Sequence, residues 1–256
     1  MRTITDLLEL LQPGDPVLLR CDLNVPLQQG QVTDTNRIEA SLPTIQALQK
    51  AGARIVLMTH LGRPEGIDPR LSTAVVARAL QGLLGTEVVH FDELPPGPRF
   101  HEQLAGLPAG GILMMENLRF HRGEKSNDRQ WAAALAHGCR FYVNDAFGCS
   151  HRSHASVVAV ASCLPSFAGL LLMREIEILS QLRDDPIRPF WIIAGGAKVR
   201  DKIGVLAHLA QQLDGVICGG GLANTLLEGA GVPVGQSTTE PESLSQITQL
   251  LEGQTG

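Results

Sequence analysis

The feature that most limits what this chain can fold into is residues 54–64, Arg-Ile-Val-Leu-Met-Thr-His-Leu-Gly-Arg-Pro. Residues 55–58 are a short unbroken apolar run after a Gly-Ala turn, which suits a strand buried on both faces of a parallel sheet. Periodicity alone does not separate so short a run from buried helix. The character then changes at once. Thr59, His60 and Arg63 bring donors and charge, Gly62 frees the backbone, and Pro64 forbids continuation. Open α/β sheets bind ligands beyond the carboxyl ends of their strands. A strand that discharges His and Arg at that end reads as an anion site.

Similar runs follow one another along the chain. Residues 17–21, 87–91, 112–115 and 141–143 read as strands, the first followed by a polar loop over 22–36. Between them lie helical patterns: Ile4, Leu7, Leu8 and Leu11; Ile38, Leu42, Ile45 and Leu48; residues 71–84, with Ser72 or Thr73 as cap; and residues 128–137. Pro43 should kink or restart the second of these, and residues 95–98 should be a Pro/Gly-rich connection. Strands alternating with helices predict a parallel sheet covered on both faces. A further helix over 170–182 precedes the break at Asp184-Asp185-Pro186. Strands over 190–194 and 215–218, each ending in glycines, then begin a second α/β unit near residue 186. That unit has only two strand–helix repeats, against roughly 5–6 strands in a mean sheet.

Whole-chain properties exclude several classes. A formal charge of −5 argues against a nucleic-acid binder held by bulk charge. Five widely spaced cysteines with no C-x-x-C pair fit a reducing cytosol better than a disulfide framework or zinc site, and no metal set is expected. Residues 155–173 carry no charge, but Pro165, Gly169 and three serines interrupt them. They read as a buried helix, a break and a second helix start, not a membrane span.

Charged and amide side chains follow several strands: Arg20, Asp22 and Asn24; His60 and Arg63; Arg119 and Arg122; His151, Arg152 and His154. Arg37 opens a helix, where backbone N–H groups also favour anions. Taken singly, each Arg is an ordinary solvated residue, each His an ordinary loop donor, and Arg20 with Asp22 a structural ion pair. Parallel strands would bring them to one edge, making a basic basin in an acidic protein. The planar Arg fork suits phosphate and carboxylate oxygens, so a small multiply anionic ligand is the expected occupant. Gly195-Gly196-Ala197-Lys198, with Lys202 four residues on, could let backbone approach phosphate, and Gly219, Gly220 and Gly221 before a helix could admit a flat base or ribose. Neither matches the P-loop or dinucleotide fingerprint, and each alone is also an ordinary tight turn. No nucleophile–base pair has a recognisable signature.

Six segments together resemble phosphoglycerate kinases: residues 20–26 (RCDLNVP), 59–64 (THLGRP), 116–120 (ENLRF), 142–148 (YVNDAFG), 195–203 (GGAKVRDKI) and 218–225 (CGGGLANT). They stand in that family's order and spacing over essentially the whole chain. The resemblance implies two Rossmann-like domains of α/β class facing a cleft that closes. Residues 1–169 would be the 3-phosphoglycerate domain, 170–185 a joining helix, and 186–256 part of a nucleotide domain. It implies reversible phosphoryl transfer from 1,3-bisphosphoglycerate to Mg-ADP by a cytoplasmic monomer.

By motif match, Asp22, Leu23, Asn24, Arg37, His60, Leu61, Gly62, Arg63, Arg119 and Arg152 hold the glycerate. Arg37 and Lys198 act on the moving phosphoryl group. Gly195, Gly196, Ala197, Lys198, Lys202 and Gly219, Gly220 and Gly221 line the nucleotide side. Family members run longer than this chain. The resemblance therefore implies a nearly complete substrate half and a nucleotide half cut roughly in two, without the acidic residues for ribose and Mg2+. The runner-up expectation is a 3-phosphoglycerate-binding fragment that transfers nothing.

Overall fold

A computed structural model describes residues 1–94, 97–196 and 198–252. It divides into two compact units, Met1–Ile176 and one from Glu177 onward.

The first unit is built on a six-stranded parallel sheet. In chain order it comprises α1 (Ile4–Leu10), β1 (Pro16–Cys21), a small hairpin of β2 (Leu27–Gln28) and β3 (Gln31–Val32), α2 (Asn36–Lys50), β4 (Arg54–Met58) and α3 (Ala74–Leu84). Then come β5 (Val88–Phe91), α4 (Pro98–Gly106), β6 (Ile112–Met115), the one-turn α5 (Arg122–Lys125), α6 (Arg129–Ala136), β7 (Phe141–Asp145) and β8 (Ser166–Ala168). The sheet order is β5-β6-β4-β1-β7-β8, and every neighbouring pair runs parallel. The alternation of side chains along a strand explains why the central runs are apolar without interruption. Val17, Leu19, Ile55, Leu57, Ile112 and Met114 share one buried cluster with Ile38, Ile45 and Leu48 of α2 and Val76 and Leu80 of α3. Leu18, Val56, Met58, Leu113 and Met115 share another with Phe100, Leu104, Trp131 and Leu135 of α4 and α6. Each such Leu, Ile or Val stabilises the fold by roughly 1.5–3 kcal/mol through burial.

Residues 55–58 are the expected strand. Other expectations are corrected. Pro43 does not restart α2, which runs continuously from Asn36 to Lys50. Helix α4 starts at Pro98, where only a connection was expected; Pro at the first helical position loses a bond that position never makes. Pro95 and Pro96 lie outside the described residues. The uncharged stretch 155–173 is a π-turn (Ala155–Ala159), a 3-10 turn (Val160–Ser162), the edge strand β8, and then the start of α7 (Leu170–Asp184). No described helix is long and apolar enough to cross a membrane.

The entry of α7 is tightly specified. Thr44 Oγ1 accepts from Leu170 N at 3.0 Å, and Asp145 Oδ1 accepts from Leu171 N and Leu172 N at 2.9 and 3.2 Å. The helix start thus finds acceptors for N–H groups that have no partner inside the helix. Gly169 precedes it because any Cβ there would collide with the Asp145 carboxylate. The division between the two units falls inside α7.

The second unit pairs β9 (Trp191–Gly195) in parallel with β10 (Gly215–Gly219), and adds α8 (Arg200–Leu209), α9 (Gly220–Gly229) and α10 (Leu244–Glu252). Val199, Ile203, Leu206, Leu222 and Ile247 form its small core. Trp191, Ile193, Val216 and Ile217 of its two strands are exposed. Helix α10 was not anticipated.

Candidate functional site

Because β1, β4, β6 and β7 run the same way, the loops that follow them meet at one edge of the sheet. Those loops carry Asp22, His60, Arg119 and Arg152 in turn. The loop conformations are held by side-chain clamps on backbone. Thr59 Oγ1 accepts from Leu23 N at 3.0 Å, and Asn24 Oδ1 accepts from Gly62 N at 2.7 Å, which fastens the loop after β1 to the loop after β4. Gly62 needs its left-handed conformation (φ 64°), and a Cβ there would press on Leu71.

Asn117 organises the next boundary. Its Oδ1 accepts from Leu61 N and Arg119 N at 3.2 and 3.1 Å, and its Nδ2 donates to Leu61 O and Leu71 O at 2.8 Å each. All four hydrogen-bonding positions of this buried amide are in use. Glu116 secures it from behind, accepting from Asn117 N and Thr73 N at 2.6 and 2.8 Å. Arg119 is thereby aimed so that its Nη1 donates to Gly62 O.

Asp22 and Arg37 form an ion pair at 2.6 Å. The Arg20–Asp22 pair entertained above is therefore not formed: Arg20 is buried and bonds elsewhere. Its Nε donates to Ser156 Oγ at 3.0 Å, its Nη1 to Cys21 O, and its Nη2 to His60 Nδ1 at 3.0 Å. Ser156 in turn donates from Oγ and N to the buried Glu124 carboxylate at 2.7 and 3.1 Å. His154 Nδ1 stands 3.6 Å from the same carboxylate.

Burial, and then the charges of Arg20, Arg119 and Arg152, push the His60 pKa from its ordinary 6.5 to about 2. Burial first, and then Arg152, lowers that of Arg119. Burial alone would raise the Glu124 carboxyl, but hydrogen bonds from His154 and Ser156 and the charge of Arg20 outweigh it, and its pKa lies below the ordinary value.

The structure thus gathers Asp22, Leu23, Asn24, Arg37, His60, Leu61, Gly62 and Arg119, with Arg152 close enough for its charge to bear on His60 and Arg119. Arg63 is exposed and makes no side-chain hydrogen bond among the described residues. Asp22 Oδ1 is buried without a partner among them. His151 lies beside Arg152, with Arg152 Nε 3.3 Å from its ring nitrogen Nε2. Sequence reasoning singled out Thr59 as a donor but missed the rest of the inner layer: Asn117, Glu124 and Ser156 carry no signal except their place inside or beside the motifs. It also missed that Asp22, His60 and Cys149 offer ligand atoms within 4.8 Å of one another. Arg20 already reaches His60 Nδ1 and lies 3.7 Å from Cys149 Sγ, and Arg37 pairs with Asp22, so guanidinium groups stand where a cation would.

In the second unit, β9 and β10 end in register at Gly195 and Gly219. Gly196 O accepts from Leu222 N at 3.1 Å, so the turn after β9 rests on the first turn of α9. Lys202, in α8, brings Nζ within 3.2 Å of where a Cβ on Gly196 would stand. Lys198 is exposed, and Gly220 and Gly221 open α9. Ala197 lies outside the described residues.

Fold and site together define a class: α/β proteins that present a cationic basin at the carboxyl edge of a parallel sheet. Within it, this chain belongs to the phosphoglycerate kinase family, whose model matches residues 8–255. It is 47% identical over 237 residues to a phosphoglycerate kinase of Moorella thermoacetica, covering 92% of this chain and 60% of that protein. It is likewise 47% identical to one of Thermomicrobium roseum, covering 98% of this chain and 64% of the relative. The solved phosphoglycerate kinase of Coxiella burnetii superposes with a TM-score of 0.84 at 36% identity, over 95% of this chain and 61% of that one. The chain thus spans somewhat less than two thirds of the length of these relatives.

Proposed function

We propose that this chain carries the glycerate half and part of the nucleotide half of a phosphoglycerate kinase. In that reaction the bond between the acyl oxygen of 1,3-bisphosphoglycerate and its phosphorus breaks, and an oxygen of the ADP β-phosphate takes the phosphorus, leaving 3-phosphoglycerate and ATP. The observation that carries the reading is the convergence of Asp22, His60, Arg119 and Arg152 from the segments after four strands, with Arg37 from the start of α2. Arg119, Arg152 and Arg63 supply cations for phosphate and carboxylate oxygens, and the unpartnered Asp22 Oδ1 accepts from the glycerate hydroxyl. Arg37 faces the moving phosphoryl group. Phosphoryl transfer asks for positioning and charge neutralisation more than covalent chemistry, which fits a site whose nearby thiol, Cys149, has its pKa raised by burial.

On the nucleotide side, Lys198 meets the transferred group, Lys202 holds nucleotide phosphate, and Gly195, Gly196 and the N-terminus of α9 at Gly219, Gly220 and Gly221 offer backbone N–H groups. Ammonium and N–H donors suit phosphate oxygens and do not fit Mg2+, which takes oxygen ligands. The metal is therefore assigned to the incoming nucleotide and to no residue described here. Action as a cytoplasmic monomer is part of the same proposal.

Formation of ATP from 1,3-bisphosphoglycerate and Mg-ADP, followed in a coupled assay, tests the full reading. The second unit, whose two-stranded sheet leaves Trp191, Ile193, Val216 and Ile217 exposed, favours a second reading, in which the chain captures 3-phosphoglycerate without transferring a phosphoryl group. Binding with no ATP formation would single that reading out.

A further inference from the structure

We infer that Arg20 is a positioning residue for His60: its guanidinium, braced by Ser156 and Glu124, fixes the imidazole in the tautomer that donates from Nε2. An Arg guanidinium has only donors, so the 3.0 Å contact from its Nη2 makes His60 Nδ1 the acceptor and leaves the ring proton on Nε2. No described residue hydrogen-bonds to Nε2. The ring therefore enters the basin as a neutral donor aligned by its far side.

The brace is what makes the arrangement specific. Arg20 is 1% exposed, and each arm is engaged: Nε on Ser156 Oγ, Nη1 on Cys21 O, Nη2 on His60. Ser156 accepts from Arg20 and donates to Glu124, so the buried carboxylate balances the buried guanidinium through one hydroxyl. The network ties β1, the π-turn and α5 to the loop after β4. The groups that bear on His60 are Arg20 from β1, Asp22 beyond it, Arg119 beyond β6, and Cys149, Arg152 and His154 beyond β7. The cations among them oppose a second proton on the ring. A neutral donor can bind an anion's oxygen over the whole range in which an ordinary His would gain and lose charge.

The test is nitrogen-resolved NMR of the ¹⁵N-histidine-labelled chain, with His60 assigned by its loss in His60→Gln, alongside titration with 3-phosphoglycerate. Wild type should show Nδ1 bare and Nε2 protonated, unchanged across roughly pH 5 to 8. Arg20→Met should lose that bias and weaken 3-phosphoglycerate binding about tenfold; Arg20→Lys should recover part of both. Ser156→Ala, which frees the guanidinium but keeps its charge, should weaken binding by a few-fold and broaden the His60 signals. A wild-type spectrum with the proton on Nδ1, or with His60 titrating near its ordinary pKa, would overturn the inference whether or not the Arg20 variants fold. So would a folded Arg20→Met that keeps both the tautomer and the affinity. The binding arm rests on the proposed function. Absence of 3-phosphoglycerate binding in wild type would defeat that function, while the spectrum would still decide the tautomer.

Discussion

At the residue scale, the site separates into groups free to meet a ligand and groups spent on holding them. Asn117 belongs to the second kind. Asn117→Ala removes four hydrogen bonds, three of them buried, and strands Leu61 N and Arg119 N, so it should cost about 2–4 kcal/mol in urea unfolding. Arg63 belongs to the first. It is exposed and unbonded among the described residues, so Arg63→Ala should leave the unfolding midpoint unchanged while weakening 3-phosphoglycerate binding at least about tenfold. The sequence showed that His60 and the arginines lie at strand ends, because a polar residue after an apolar run is visible in one dimension. It did not show that Arg20 is buried or that Asp22 takes Arg37 as its partner. Those pairings are decided by which loops the parallel register brings together, and Ser156 lies 136 residues from Arg20.

At the element scale, the strands and helices with long runs were legible and the short or irregular ones were not. The strands at 17–21, 55–58, 112–115 and 141–143 are apolar but for Arg20 because both sheet faces are covered, a demand that leaves a plain mark. Strand β8 has three residues and pairs only with β7 within the sheet, and the π-turn before it has no period of its own to read. The start of α7 depends on the Thr44 hydroxyl and on one carboxylate oxygen of Asp145. Asp145→Ala should cost about 1–3 kcal/mol by leaving Leu171 N and Leu172 N without an acceptor. Asp145→Asn should be nearly neutral. It keeps the acceptor, and burial raises the Asp145 pKa, so loss of the charge is no loss to the fold. Thermal unfolding of the two variants side by side checks the contrast.

At the scale of the whole molecule, the buried His60 ties stability to pH. Its folded pKa of about 2 lies below the ordinary 6.5, so the unfolded chain binds the proton more readily. Stability should therefore fall as pH drops from 6.5 toward 2. Glu124 adds loss in the same direction below its ordinary 4.5, since its folded pKa is lowered. His60→Gln should flatten the slope in the upper part of that window, between 6.5 and 4.5, in denaturant midpoints taken against pH.

The measurement that bears most directly on the account is calorimetric titration of the chain with 3-phosphoglycerate, run on wild type and on Arg63→Ala and Arg152→Ala. Saturable one-to-one binding by wild type, weakened about tenfold or more in both variants, is the predicted result. No heat of binding in wild type, or an affinity that neither substitution changes, would contradict it.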